Sequence, residues 1–273
     1  MSTDYTFSAS AMGVAAQFNR LDDAQNLNHV IPTLGTSVLA PTGGVSRSHA
    51  SHYAYIVDQP RRWTLLSVNK VKTAVAGRDL IDRFETEVEA DVEDLEVVEA
   101  LHVGSIRLQF QSSRPAQPAD ATPVITSTGN RIEGVQLGNV TATVRLDEEP
   151  LLNCGSAAQL AEFYRKQTDA YRKKSAWRFR IDTDAAGAGG VCQTCTFSLV
   201  SQIQLSGPQD ELHCMSVDGY SIRWEGFGKI ILGEVRVKGN DRSVTMLRLA
   251  MGSGAGGSGS GGGGNSNGSV SGG

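Results

Sequence analysis

The sequence predicts a mainly β protein, a β-sandwich or distorted β-barrel with one amphipathic helix packed on it. Three observations carry that expectation. Runs in which apolar and polar residues alternate recur along most of the chain. Clusters of Gly, Asn, Asp and Pro separate those runs. Only one stretch, about 157–174, has helical spacing. With 273 residues and 40% hydrophobic content, the chain can bury a normal core.

Taken in order, Tyr5 to Ala9 alternates as Tyr-Thr-Phe-Ser-Ala and reads as a first strand. Residues 19–51 are rich in Asn, Gly, Pro and Ser and read as loop, with a short apolar piece at Val38-Leu39. Tyr53 to Val57 and Trp63 to Val75 read as strands. From Phe84 to Val92 the alternation is clearest: Phe84, Thr86, Val88, Ala90 and Val92 share one face, and Glu85, Glu87, Glu89, Asp91 and Glu93 the other. Val97 to Phe110 continues in strand. Residues 111–130, rich in Ser, Pro, Ala and Thr, mark a candidate boundary between two subdomains of a domain spanning 1–251. Arg131 to Leu137 and Val140 to Leu146 form a pair turning at Gly138-Asn139.

Ser156 and Gln159 have capping-box spacing, and Leu160, Phe163, Tyr164 and Tyr171 follow on one stripe. Arg172, Lys173 and Lys174 sit at the C-terminal end, where the helix dipole favours cations. One helix is expected over about 157–174. Trp177 to Ile181 and Cys192 to Leu205 then read as strands.

The best-specified stretch is Tyr220 to Met251, a hairpin turning at Gly239-Asn240-Asp241. If Lys238 pairs with Arg242, Gly233 faces Leu247. Buried parity then switches in both strands at one level: Ile230 and Leu232 are even, Val235 and Val237 odd; Val244 and Met246 are even, Leu247 and Leu249 odd. A matched switch with a glycine predicts a ribbon that turns from one packing surface to another. From Gly252 to Gly273, twelve of 22 residues are Gly and six are Ser, so this segment has almost nothing apolar to bury and is expected to be a disordered tail.

The segment from Asn130-Arg131-Ile132-Glu133-Gly134 through Leu151 resembles a group of uncharacterised bacterial proteins. So does Gly226-Phe227-Gly228-Lys229-Ile230-Ile231-Leu232-Gly233-Glu234, followed by Thr245-Met246-Leu247-Arg248. The resemblance implies a bacterial origin and brings no activity, substrate or site.

A net charge of −4 and a pI near 5.8 give no support for nucleic-acid or membrane-surface binding. Neither a signal peptide nor an apolar run near 18 residues is visible, so the expected location is cytoplasmic. Four cysteines are too few for a disulfide scaffold. Cys192 and Cys195 have the CxxC spacing of two zinc ligands, and His213 and Cys214, with Cys154 as a further candidate, would complete a tetrahedral site. No second CxxC follows, and the bland alternative is that these are small buried strand residues. A redox CxxC needs a helix N-terminus, and a β-like run follows here instead. His49 and His52, with His102 and His29, read as loop histidines rather than a metal site.

The row Glu85, Glu87, Glu89, Asp91 and Glu93 reads as a solvated face, a calcium site, or one half of a charge pairing. The other half would be Arg165, Lys166, Arg172, Lys173, Lys174, Arg178 and Arg180, within the chain or between copies. Gly252, Gly254 and Gly257 match G-x-G-x-x-G in spacing, but no helix follows to hold a phosphate. Trp63, Trp177 and Trp224 offer a sugar-stacking platform if exposed together. No catalytic residues are assigned. The expected function is non-catalytic binding or self-assembly through sheet surfaces and complementary acidic and basic patches, with a second copy or another protein as partner. A zinc-binding domain or metal-dependent enzyme, and a carbohydrate-binding module, are the alternatives; no cofactor other than zinc is expected.

Overall fold

The computed structural model describes residues 5–19, 28–58, 62–118, 121–183, 192–238, 241–250 and 267–272. Its strands, in chain order, begin with β1 (Phe7–Asn19), β2 (Asn28–Val38), β3 (Gly44–Val57), β4 (Trp63–Asp79), β5 (Arg83–Val97) and β6 (Leu101–Pro115). Next come β7 (Val124–Ser127), β8 (Arg131–Leu137) and β9 (Val140–Leu146). Three helices follow, α1 (Glu149–Leu152), α2 (Ala157–Lys166) and α3 (Asp169–Ser175), then a 3-10 turn at Ala176–Arg178. The second half holds β10 (Phe179–Thr183), β11 (Cys192–Ser198), β12 (Val200–Ser206), α4 (Gln209–Leu212), β13 (Met215–Asp218) and β14 (Ser221–Trp224). It closes with β15 (Gly228–Lys238), β16 (Asp241–Ala250) and β17 (Asn267–Gly272).

Two sheets form a β-sandwich. One runs β10-β11-β15-β16-β17-β1-β2, with β14 and β13 attached to β15; the other runs β12-β9-β8-β6-β5-β4-β3, with β7 beside β6. The alternation read from Phe84 to Val92 positions the core: Thr86, Val88, Ala90 and Val92 are buried. They face a layer that includes Ala9 and Ala11 of β1 and Val244 and Met246 of β16. Each large apolar side chain so buried contributes about 1.5–3 kcal/mol. Gly13 of β1 and Gly35 of β2 both lie against Val71 of β4; a Cβ on Gly13 would stand 2.0 Å from Val71 Cγ1.

The β15–β16 hairpin changes its buried face as the sequence predicts. Ile230 and Leu232 are buried below the switch, Val235 and Val237 above it, and Leu247 and Met246 mark the same level in β16. The register differs by one residue from the expected one: Lys238 pairs with Asp241, so two residues, 239–240, join the strands and Leu232 faces Leu247. Gly233 holds the turn in face with a φ of +62°. Its carbonyl accepts a hydrogen bond from the Leu199 amide at 2.7 Å. Leu199 is the corner at which the chain leaves β11 in one sheet and enters β12 in the other.

Two expectations are corrected, the loop over 19–51 and the undivided helix. Residues 28–38 and 44–51 are strands rather than loop, and each belongs to the strand at one edge of its sheet. At the start of the 111–130 stretch, β6 runs to Pro115 and pairs with β5, β7 and β8 in one sheet. The helix expected over 157–174 is divided into α2 and α3 by extended backbone at Gln167 and Thr168. Ser156 caps α2 as the capping box requires, and the Thr168 hydroxyl accepts from the Tyr171 amide to start α3 anew. Within the Gly/Ser-rich tail, Asn267–Gly272 stand as β17 between β16 and β1, while residues 251–266 lie outside the described residues. Main-chain pairing needs no side chain, so composition does not reveal such a strand.

Candidate interaction surfaces

The outer face of the second sheet carries the acidic row, and the register shows what surrounds it. Glu85, Glu87, Glu89, Asp91 and Glu93 alternate outward along β5. On β4, Lys70 stands opposite Glu93, Lys72 opposite Asp91 and Arg78 opposite Glu85. On β6, Arg107 stands opposite Asp91. Contacts follow: Lys70 bonds Glu93, Arg78 reaches Glu85 at 3.8 Å and Glu87 at 3.5 Å, and Arg83 Nε donates to Glu85 at 2.7 Å. Arg107 reaches Glu89 at 3.5 Å. Hydrogen bonding to Glu93 holds the Lys70 ammonium above its ordinary pKa. The row is thus met by cations of its own sheet. Partly exposed pairs of this kind contribute about 0–1 kcal/mol each, and they cancel the field the row would otherwise project.

The expected basic partners lie elsewhere and make other contacts. Arg172 bonds Asp169 within α3, and Lys166 pairs with Glu162 at 2.8 Å within α2. Lys173 is exposed, and the Lys174 side chain lies outside the described residues. Arg178, named in the basic set, is 5% exposed; it donates to Asp147 at 2.7 Å and to the Ser198 carbonyl, bracing the Leu199 corner.

Among the described cysteines, Cys195 and Cys214 lie far apart. Cys195 is buried with its thiol on the Ala157 carbonyl of α2, and Cys154 is buried between α1 and α2. Burial pushes the Cys154 thiol up to about 12. Cys214 is exposed beside β13, next to His213. Cys195 registers with Val237 at one end of β15, and Met215 with Trp224 and Gly228 at the other. Nine residues of strand separate those levels, roughly 30 Å, whereas two thiolates on one zinc lie within about 5 Å. The Cys192 side chain lies outside the described residues, and no group of three His, Cys, Asp or Glu suited to a metal gathers among the described residues. His49 and His52 lie on the edge strand β3, and His102 faces Asp94 at 3.9 Å. Trp63 begins β4 in one sheet, Trp224 stacks on Phe227 in the other, and the Trp177 side chain lies outside the described residues.

Two features of the sheets themselves stand out. The second sheet ends on β3, whose residues are half-exposed or exposed on both faces along all 14 positions. Between β16 and β1 of the first sheet lies a slot one strand wide, filled by β17. Neither was legible as an interaction surface, because an edge or a slot is set by which strands pair and not by residue type.

The architecture defines a two-sheet β-sandwich, and no helix among the described residues is long and apolar enough to cross a membrane. Residues 5–238 match the model of a domain of unknown function, DUF8256, and the chain belongs to that family. No curated protein and no solved structure matches it.

Proposed function

We propose that this chain is a non-catalytic assembly protein that joins further copies of itself through sheet edges. The observation that carries the reading is β3. From Gly44 to Ser51 it is an edge segment with one charged residue, Arg47, no proline, and Val45 57% exposed. Edge strands are ordinarily blunted by charge, proline, bulges or a covering element, since an open ladder templates pairing with another chain. The far end of β3 is blunted in this way: His52 has a φ of 52°, and the register shifts between Tyr55 and Ile56. The other edge of the sandwich on this side, β2, carries Pro32 and a left-handed Gly35. The near half of β3 therefore offers the better ladder. Antiparallel pairing of two such segments about a twofold axis makes an interface of identical halves.

The neutralised acidic row is not the joint in this reading, so assembly is expected to depend weakly on salt. Native mass spectrometry and sedimentation of the wild type against Val45→Lys provide the test. A wild-type oligomer that Val45→Lys dissociates, without loss of secondary structure, supports the proposal. A monomer throughout the accessible concentration range overturns it.

A further inference from the structure

We propose that the slot between β1 and β16 is a strand-acceptor site, and that in the assembled protein its occupant is Asn267–Gly272 of a second copy. This rests on the assembly reading and names a second joint for it.

The slot is built for a strand. β17 pairs with β1 on one side, from Phe7↔Gly272 to Met12↔Asn267, and with β16 on the other, from Arg242↔Val270 to Thr245↔Asn267. Without it, two ladders would be left open toward each other across about 10 Å, two strand spacings. An extended segment satisfies both at once, the geometry of β-strand addition.

The sequence of the segment fits the slot rung by rung. Gly268, Val270 and Gly272 register with Ala11, Ala9 and Phe7, all buried. Asn267, Ser269 and Ser271 register with Met12, Ser10 and Ser8, which are half-buried or exposed. The six residues thus alternate small or apolar with polar, in phase with β1. Val270 is the only branched apolar residue after Met251, and it occupies the rung shared by buried Ala9 and buried Arg242.

The connection permits exchange. β17 begins opposite Thr245, five residues back from the end of β16 at Ala250, a gap of about 17 Å. Sixteen residues, 251–266, join them, and a chain of that length spans at most roughly 55 Å. The excess reach allows the same segment to enter a neighbour's slot with every ladder bond retained. In a dilute monomer the tethered segment has an effective concentration in the millimolar range and fills its own slot. Copies held edge to edge present each other's slots at comparable concentration, and exchange follows.

Single cysteines at one rung test this in the full chain, with Cys192 and Cys214 replaced by serine. Ser10→Cys and Ser269→Cys are placed on separate chains, mixed, and oxidised; directly opposed residues meet the Cα separation a disulfide needs. The expected result is an interchain disulfide between the two variants, lost when Val270→Asp is added. Ser8→Cys with Ser269→Cys, one diagonal out of register, should cross-link about tenfold less, because such diagonals lie beyond disulfide reach. If the Ser10→Cys/Ser269→Cys double variant closes only within its own chain while the protein is oligomeric, exchange is overturned and the assembly reading stands with its joint elsewhere. If closure is intrachain and the protein is a monomer, both fall. If no cross-link forms in any variant, this segment does not fill the slot and the proposal is refuted.

Discussion

Arg242 offers the sharpest test of what holds the helical cap to the sandwich. It is 2% exposed, and its rung on β16 leads through Val237 to Cys195 on β11. Its Nε donates to the Cys154 carbonyl at 2.7 Å, and an Nη donates to the Gly155 carbonyl. Those carbonyls belong to the link between α1 and α2, where Gly155 has no room for a side chain: a Cβ would stand 2.3 Å from the Pro123 carbonyl oxygen. Burial lowers the pKa of Arg242, but a guanidinium stays charged, so the cation's desolvation is offset chiefly by these bonds. Two charge-assisted hydrogen bonds are worth about 3–6 kcal/mol together before that offset. Arg242→Ala should therefore cost about 3–5 kcal/mol, adding a cavity to two orphaned carbonyls. Arg242→Met keeps most of the volume and removes the desolvation cost, so its loss should be smaller, about 2–3 kcal/mol. Arg242→Lys keeps the charge but not the fork and should fall below both. Urea denaturation with m-values compared across the series measures this. If Arg242→Met proved as stable as the wild type, the guanidinium would be a net cost and the argument would fail.

Gly13→Ala should destabilise by several kcal/mol, because its Cβ would overlap Val71; Val71→Ala should recover part of that loss, a coupling that a double-mutant cycle in denaturant would read. Gly233→Ala should cost about 1–3 kcal/mol, since its φ of +62° is strained for any L side chain and its Cβ would press on Leu199 and Val200 at 3.3 Å. Cys154 titrates near 9.0 in an unfolded chain and at about 12 when folded, so the folded state favours the neutral thiol. Its contribution to stability is present below pH 9 and is lost as pH rises toward 12; Cys154→Ala should flatten that part of a stability-versus-pH curve relative to the wild type. In the native protein, iodoacetamide should label exposed Cys214 while sparing buried Cys154 and Cys195, as peptide mass mapping would show.

The elements that the sequence predicts well are those whose side chains must be buried. β5 announces itself because one face is core and the other solvent, and the β15–β16 hairpin shows its change of face because both strands switch parity at one level. Where burial is slight, the pattern fades. The Ser, His and Ala residues of β3 pack against little, so its stretch from Gly44 to Ser51 reads as loop. Gln167-Thr168 interrupts a continuous apolar stripe, and the Thr168 cap outweighs that stripe in dividing the helix. The acidic row was visible, but its partners were not. Lys70, Lys72, Arg78 and Arg107 sit on neighbouring strands, and only the register brings them beside the row.

That neutralisation bears on how copies of this chain would meet. A carboxylate row without partners would attract cations or basic proteins from a distance; one flanked on both sides by its own Lys and Arg does little beyond the screening length. In the proposed reading, copies recognise each other not by charge but by main chain, which needs open ladders and is indifferent to side-chain chemistry. The sandwich supplies such ladders at the near half of β3 and along the slot between β1 and β16. The two differ in a way that matters for order of assembly. β3 is an edge strand of its sheet and can pair at first encounter, whereas the slot is filled by its own chain until that strand is released. If the proposed assembly holds, edge pairing precedes exchange, and Val45→Lys should abolish both oligomer and interchain cross-link, while Val270→Asp should abolish the cross-link alone.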